Sequence, residues 1–106
     1  MQSFNEDVKF NGQVVFLVLP SKLVGTLIGA TPSVKGSEVW KAGGIVVTIT
    51  NFQYGADGQS IRILGDGNTT VSHNANIKTN TAANKLLAAS KVYTFTLISN
   101  VWIENA

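Results

Sequence analysis

Apolar residues in this chain come in short runs, mostly β-branched or aromatic, and each run is stopped by Gly, Pro, Asn, Asp or Ser. That punctuation constrains the fold more than any other feature. Gln13–Leu19 is the strongest run, and Pro20 ends it. Its VVFLVLP core is far shorter than the roughly 20 residues of a spanning helix and reads as a strand apolar on both faces. Leu23–Ile28 is weaker and is interrupted by Gly25. Pro32 keeps Thr31 out of the helical region, so an extended turn follows. Glu38–Ala42 leads into a Gly43-Gly44 turn. Ile45–Phe52 alternates, with Ile45, Val47 and Ile49 on one face and Val46, Thr48 and Thr50 on the other. Ser60–Leu64 sets Ile61 and Ile63 against Ser60 and Arg62, and Val92–Ile98 sets Tyr93, Phe95 and Leu97 against Val92, Thr94, Thr96 and Ile98. After Ser99-Asn100, Val101–Glu104 is the last strand. Strands at intervals of about eight to twelve residues predict an all-β sandwich or barrel. Residues 81–90, TAANKLLAAS, fit either one turn of helix or a loop that tucks Leu86 and Leu87 into the core. No internal repeat of about 20 to 50 residues is visible.

Length and charge narrow the function. The 106 residues make one domain. Only 13% are charged and 44% are apolar, so the surface is built of Asn, Thr, Ser and Gly, and much of the stability is expected from a partner. The net charge is +2, and the Lys residues are scattered, which does not make the clustered positive face that nucleic acid requires. With no Cys, disulfides and thiolate zinc sites are excluded. MQSFNEDVKF carries acids where a secretory signal is basic, and no segment is expected to enter a membrane.

Residues 57–80, DGQSIRILGDGNTTVSHNANIKTN, concentrate the polar groups that could carry chemistry. Gly65-Asp66-Gly67-Asn68 follows a strand and reads as a hairpin turn, with Gly55-Ala56-Asp57-Gly58 a second turn of the same kind. Asp66 and Asp57 fall short of the six or more oxygen ligands of a calcium loop. His73 is the chain's one His and could bind zinc only across a symmetry axis, so a turn His is the expectation. Ser72 and His73 are adjacent and would point to opposite strand faces, which rules out a relay with Asp66. No paired carboxylates suit glycoside hydrolysis. We therefore expect no catalysis, no cofactor and no metal. Trp40 and Trp102 are expected to pack, although Trp40, with His73 and Asn74, is the candidate for a surface ligand contact.

The order of these signals carries more information. Pro32-Ser33-Val34, Trp40-Lys41, ITNF at 49–52, GADGQ at 55–59, Ile61 and Ile63, GDGNTTV at 65–71, HNANIKTNT at 73–81 and VWIE at 101–104 together resemble the C-terminal head modules of bacteriophage tail spikes and fibres. The resemblance covers residues 32–106 and includes heads that follow a pectate-lyase-like β-helix. It implies an antiparallel, jelly-roll-like β-sandwich assembled as a homotrimer. Phe52, Ile61, Ile63, Tyr93, Phe95, Leu97 and Trp102 are its candidate core and trimer-packing residues. Two departures stand out: the stretch Lys41–Ile45 is short, and Ala82 occupies a turn position where relatives are expected to have Gly.

Residues 1–31 then form an N-terminal arm, with Phe4, Phe10, Phe16 and Leu17 as candidate contacts to a shell or shaft. On the expectation that Met1–Ala106 is a whole product, the favoured function is a capsid decoration (cement) protein on the virion surface, its partner the major capsid protein. The alternative is the distal head of a tail spike, its partners the shaft and a host surface glycan. FNEDVKFNGQVVF, which alternates like a shaft rung, supports that alternative. A carbohydrate-binding module of a cellular enzyme is a third reading from a different class.

Overall fold

The computed structural model describes residues 24–105. Among them the chain is all β, without a helix, and its two sheets share one apolar core. The strands are β1 (Val24–Leu27), β2 (Val39–Ala42), β3 (Val47–Ile49), β4 (Ser60–Leu64), β5 (Thr69–Val71), β6 (Ile77–Lys78), β7 (Lys85–Leu86), β8 (Val92–Ile98) and β9 (Val101–Glu104). One sheet has six strands in the order β1-β2-β4-β8-β9-β6, and the other has three in the order β3-β5-β7. The Gln13–Leu19 strand and the contacts assigned to Phe4, Phe10, Phe16 and Leu17 lie outside the described residues.

The pairing corrects one expectation. Among the described residues, four of the seven strand pairs are parallel: β1–β2, β2–β4, β3–β5 and β9–β6. Antiparallel pairing, the rule in a jelly roll, holds for β4–β8, β8–β9 and β5–β7. The physical reason lies in the glycine turns. After β2 the chain bends at Gly43-Gly44 into β3 of the other sheet, and after β4 it bends at Gly65–Asn68 into β5. These are corners between sheets, so Gly65–Asn68 is not the hairpin its composition suggests. A chain that turns a corner re-enters the first sheet in the same direction. Val24 therefore pairs with Val39, and Val39 with Arg62, while Val47 pairs with Thr69 in the second sheet. A parallel bridge from Ser33 to Gln53 and the bond from Thr50 N–H to Ala30 O stack the return segments. Residues 24–76 thus wind in stacked coils, and the β8–β9 hairpin closes them by pairing antiparallel with β4.

The coils include residues of the predicted N-terminal arm, because β1 is hydrogen-bonded into the same sheet as the rest. At the corner after β4, a Cβ on Gly65 would sit 2.7 Å from both the carbonyl carbon and oxygen of Leu87 and closer still to Ala88 O. Only glycine allows two backbone layers to approach this far.

Alternation decides the faces. Ile61 and Ile63 are fully buried, as are Phe95 and Trp102, and Leu97 is nearly so. The β3 run is shorter than its sequence pattern, since Ile45 and Val46 fall in the corner and are exposed. The 81–90 segment is a loop carrying β7, with Leu87 buried and Leu86 turned outward. The β8–β9 turn has positive φ at both Ser99 (52°) and Asn100 (66°), the geometry of a two-residue type I′ hairpin.

Ala82 sits at φ 57°, in the left-handed region. A Cβ is disfavoured there, which accounts for the expectation of glycine at this position. Ala82→Gly should therefore raise stability by about 0.5–1 kcal/mol, strain relief outweighing the added freedom of the unfolded chain. Urea denaturation at fixed protein concentration checks this, and a lower midpoint would contradict it.

Candidate functional site

The core candidates fall together. Phe52 lies between Phe95 and Trp102, with ring centroids 5.6 Å away in each case, tilted against Phe95 and edge-on to Trp102. Trp102 Nε1 donates to Phe52 O at 3.0 Å. Tyr93 is half-buried at the margin of this cluster, and its hydroxyl accepts the Ala88 N–H at 3.0 Å.

The surface-ligand candidates Trp40, His73 and Asn74 each have an internal hydrogen-bond partner. Trp40 is buried, 7% exposed, and its indole N–H donates to Ser37 O, so it is a packing residue and not a surface platform. His73 Nδ1 accepts the Thr79 N–H at 3.1 Å, which places the ring proton on Nε2 in the neutral form. Asn74 Oδ1 accepts the N–H groups of Asn76 and Ile77, and its amide donates to Thr50 O. His73 and Asn74 thus build their own turn and dock it on the neighbouring coil.

The two acids of the 57–80 stretch are equally committed. Asp57 Oδ1 accepts the Ser99 N–H at 2.8 Å and anchors the β8–β9 turn. Asp66 accepts four hydrogen bonds: Asn68 and Thr69 N–H on Oδ1, Gly44 N–H and the Thr69 hydroxyl on Oδ2. The Gly44 bond joins the corner after β2 to the corner after β4, so this carboxylate stitches successive coils. Partial burial pushes the Asp66 carboxyl up, but the backbone donors Asn68, Thr69 and Gly44 and the Thr69 hydroxyl outweigh it and hold the group below its ordinary 3.8. A group depressed on folding stabilises fully above its unfolded value and loses that contribution as pH falls through its folded value. Stability should therefore be level above about pH 5 and decline below about pH 4. Asp66→Asn, which sets an NH₂ against the Gly44 N–H, should flatten that decline and cost about 1–2 kcal/mol at pH 7. Thermal melts of both proteins across pH 2–7 check this; parallel acid limbs would contradict it. Among the described residues, no three His, Asp or Glu side chains gather as metal ligands would.

A different set of residues does converge. A depression of about 390 Å³ is lined by Asn51, Gln53, Tyr54, Gly55, Asn76 and Asn100 over a floor of Phe52, Leu97 and Trp102. Three segments supply it: the chain after β3, the residue before β6 and the β8–β9 turn. Gly55 opens it, because a Cβ there would lie 2.5 Å from Trp102 Cζ2. Tyr54 stands at its rim, 71% exposed, with φ at 63°. For a bulky residue this left-handed conformation costs about 1–3 kcal/mol, and such strain collects at ligand-binding positions. Asn51 Oδ1 accepts the Phe52 N–H and the Asn76 amide reaches Thr50 O at 3.4 Å. The side chains of Gln53, Tyr54 and Asn100 have no hydrogen-bond partner among the described residues. No Asp, Glu, His, Lys or Arg lines it. Sequence reasoning missed this group, since each amide reads locally as a turn residue and only the winding brings positions 51–55, 76 and 100 together.

Comparison of the chain with protein-family models, with curated protein sequences and with solved structures finds no match in any of the three.

Proposed function

We propose that this chain is a structural protein of a bacteriophage virion, the head module of a tail spike or fibre, assembled as a homotrimer. The observation that carries the proposal is the parallel winding of residues 24–76 with an antiparallel hairpin at its C-terminal end. Stacked parallel coils are the geometry of β-helical shafts, and a capped last coil suits the tip of one.

The trimer is supported by the outer face of the six-stranded sheet. Val24, Leu64, Val92, Ile98 and Ile103 are all exposed on it, between Thr26, Ser60, Thr94 and Thr96. Among the described strand residues of that face, Lys41, Arg62 and Lys78 carry the only charges. An apolar sheet face of this extent is characteristic of an interaction surface. The capsid-decoration reading has one observation of its own: a second exposed apolar set at the corners, Ile28, Ile45 and Val46, that could lie on a flat neighbour.

Two measurements test the proposal. Sedimentation should give a trimer at micromolar concentration, and a cooperatively melting monomer would overturn that part. Gold-labelled antibody should mark the tail tip of intact virions; label over the capsid faces would favour decoration, and label on neither would overturn a virion role.

A further inference from the structure

We infer that the depression rimmed by Tyr54 is a binding site for a neutral, hydroxyl-rich ligand, a saccharide of one or two rings. The inference rests on the groove alone and holds whether the module sits on a tail or on a capsid.

The chemistry of the lining selects the ligand class. Asn51, Gln53, Asn76 and Asn100 each present a carbonyl acceptor beside an NH₂ donor. Adjacent sugar hydroxyls offer the complementary pair, one donating while the other accepts. Of these side chains, Gln53 and Asn100 have no partner within the described residues, so their hydrogen-bonding capacity is free for a ligand. Carboxylates, ammonium and guanidinium groups are absent from the lining. An anion or cation would therefore lose hydration there without gaining a counter-charge.

The second component is an aromatic ring. Tyr54 is exposed beside the amides, and its backbone is held where a tyrosine is disfavoured. A ring at the rim provides a flat apolar surface for the C–H face of a pyranose, and its hydroxyl provides one more polar contact. Glycine or asparagine would satisfy the turn without strain, so the local backbone does not call for an aromatic residue. Tyr54 is thus costly for folding and suited to contact with a ligand. The depression, about 390 Å³, lies within the roughly 300–1,000 Å³ range of small-molecule pockets. Its rigidity comes from below, through the Trp102 indole bonded to Phe52 O and the Asp57 carboxylate bonded to the β8–β9 turn.

The test uses the full chain, labelled with nitrogen-15, titrated with glucose, galactose, mannose, N-acetylglucosamine, rhamnose, maltose and cellobiose up to tens of millimolar. Glucuronate and N-acetylneuraminate serve as charged comparisons. At least one neutral sugar should give saturable shifts of the Asn51, Gln53, Asn76 and Asn100 side-chain amides and of the Trp102 indole N–H. The charged sugars should bind at least tenfold more weakly. Tyr54→Asn removes the ring but tolerates the left-handed backbone, so it should melt no lower than the parent and lose at least tenfold in affinity. No saturable shift with any neutral sugar would overturn the inference. Equal or better binding of the charged sugars would also overturn it, as would shifts centred outside the groove or unchanged affinity in Tyr54→Asn. Sedimentation of the same samples keeps the result separate from the assembly proposal, which can fail while sugar binding persists.

Discussion

Replacing Trp102 by alanine is expected to destabilise the protein by about 3–5 kcal/mol, the cost of deleting a large aromatic side chain from a packed core. Three observations set the magnitude. The side chain is 1% exposed. Its ring meets Phe52 edge-on and forms the floor against which Gly55 is packed. Its Nε1 donates to Phe52 O, so the substitution also leaves a buried carbonyl without its donor. The register of Trp102 adds a further consequence. It pairs with Leu97 on β8 and with Ile77 on β6, so it sits where the closing hairpin meets the edge strand of the sheet. A cavity there should loosen β6 and β9 together. Urea denaturation followed by far-ultraviolet circular dichroism, at one protein concentration, measures the loss. A loss below about 1 kcal/mol would mean that the neighbours collapse into the space and that Trp102 does not organise the core. Trp102→Phe should recover much of the packing but not the hydrogen bond, placing it between the two.

Which residues share a strand face was legible in the sequence, because alternation requires no knowledge of a strand's neighbours, but which of two apolar faces meets the core was not. Ser60–Leu64, Val92–Ile98 and Val101–Glu104 are observed with those bounds; Ile61, Ile63, Phe95, Leu97 and Trp102 on one face are buried, and Leu64, Val92, Ile98 and Ile103 on the other are exposed. Partner choice was not legible. Gly65-Asp66-Gly67-Asn68 has the composition of a hairpin, and a corner between sheets needs the same residues for the same reason: positive φ at Gly67 and an acceptor at Asp66 for the amides that follow. What separates the two is the Asp66–Gly44 bond, which reaches back to a different coil. The coils also leave no repeat in the sequence, because Val24–Val39 and Val39–Arg62 are spaced differently along the chain. The candidate site was the least legible part. Trp40, His73 and Asn74 have the chemistry of a ligand site, but each has an internal partner. Tyr54 gave no signal at all, since neither its positive φ nor its neighbours Asn76 and Asn100 can be read from the residues beside it.

Lys85→Ala is expected to cost about 3 kcal/mol, near the lower end of what breaking a buried ion pair costs. Lys85 Nζ lies 2.8 Å from Glu104 Oε2, bonds to Asn80 Oδ1 and stands over the Tyr93 ring at 5.9 Å from its centroid. The other carboxylate oxygen, Oε1, accepts the Asn80 N–H at 3.0 Å. Because β7 belongs to the three-stranded sheet and β9 to the six-stranded one, this pair fastens the two sheets across the loop that carries Asn80. The partners are not equivalent: the Glu104 side chain is 4% exposed and that of Lys85 is 17% exposed. Removing the lysine strands a carboxylate with one remaining donor in a place that water barely reaches. Removing the charge on the acid instead lets the lysine turn outward along its flexible stem. Glu104→Gln keeps an acceptor for Asn80 and should cost only about 1–2 kcal/mol. The double variant Lys85→Met/Glu104→Gln replaces the pair with neutral groups of similar size and should be more stable than Lys85→Ala. A double-mutant cycle built on Lys85→Ala and Glu104→Gln should return a coupling of about 2 kcal/mol. Coupling below about 0.5 kcal/mol, the range of exposed surface pairs, would show that solvent screens the contact and that the sheets are held by their apolar faces alone.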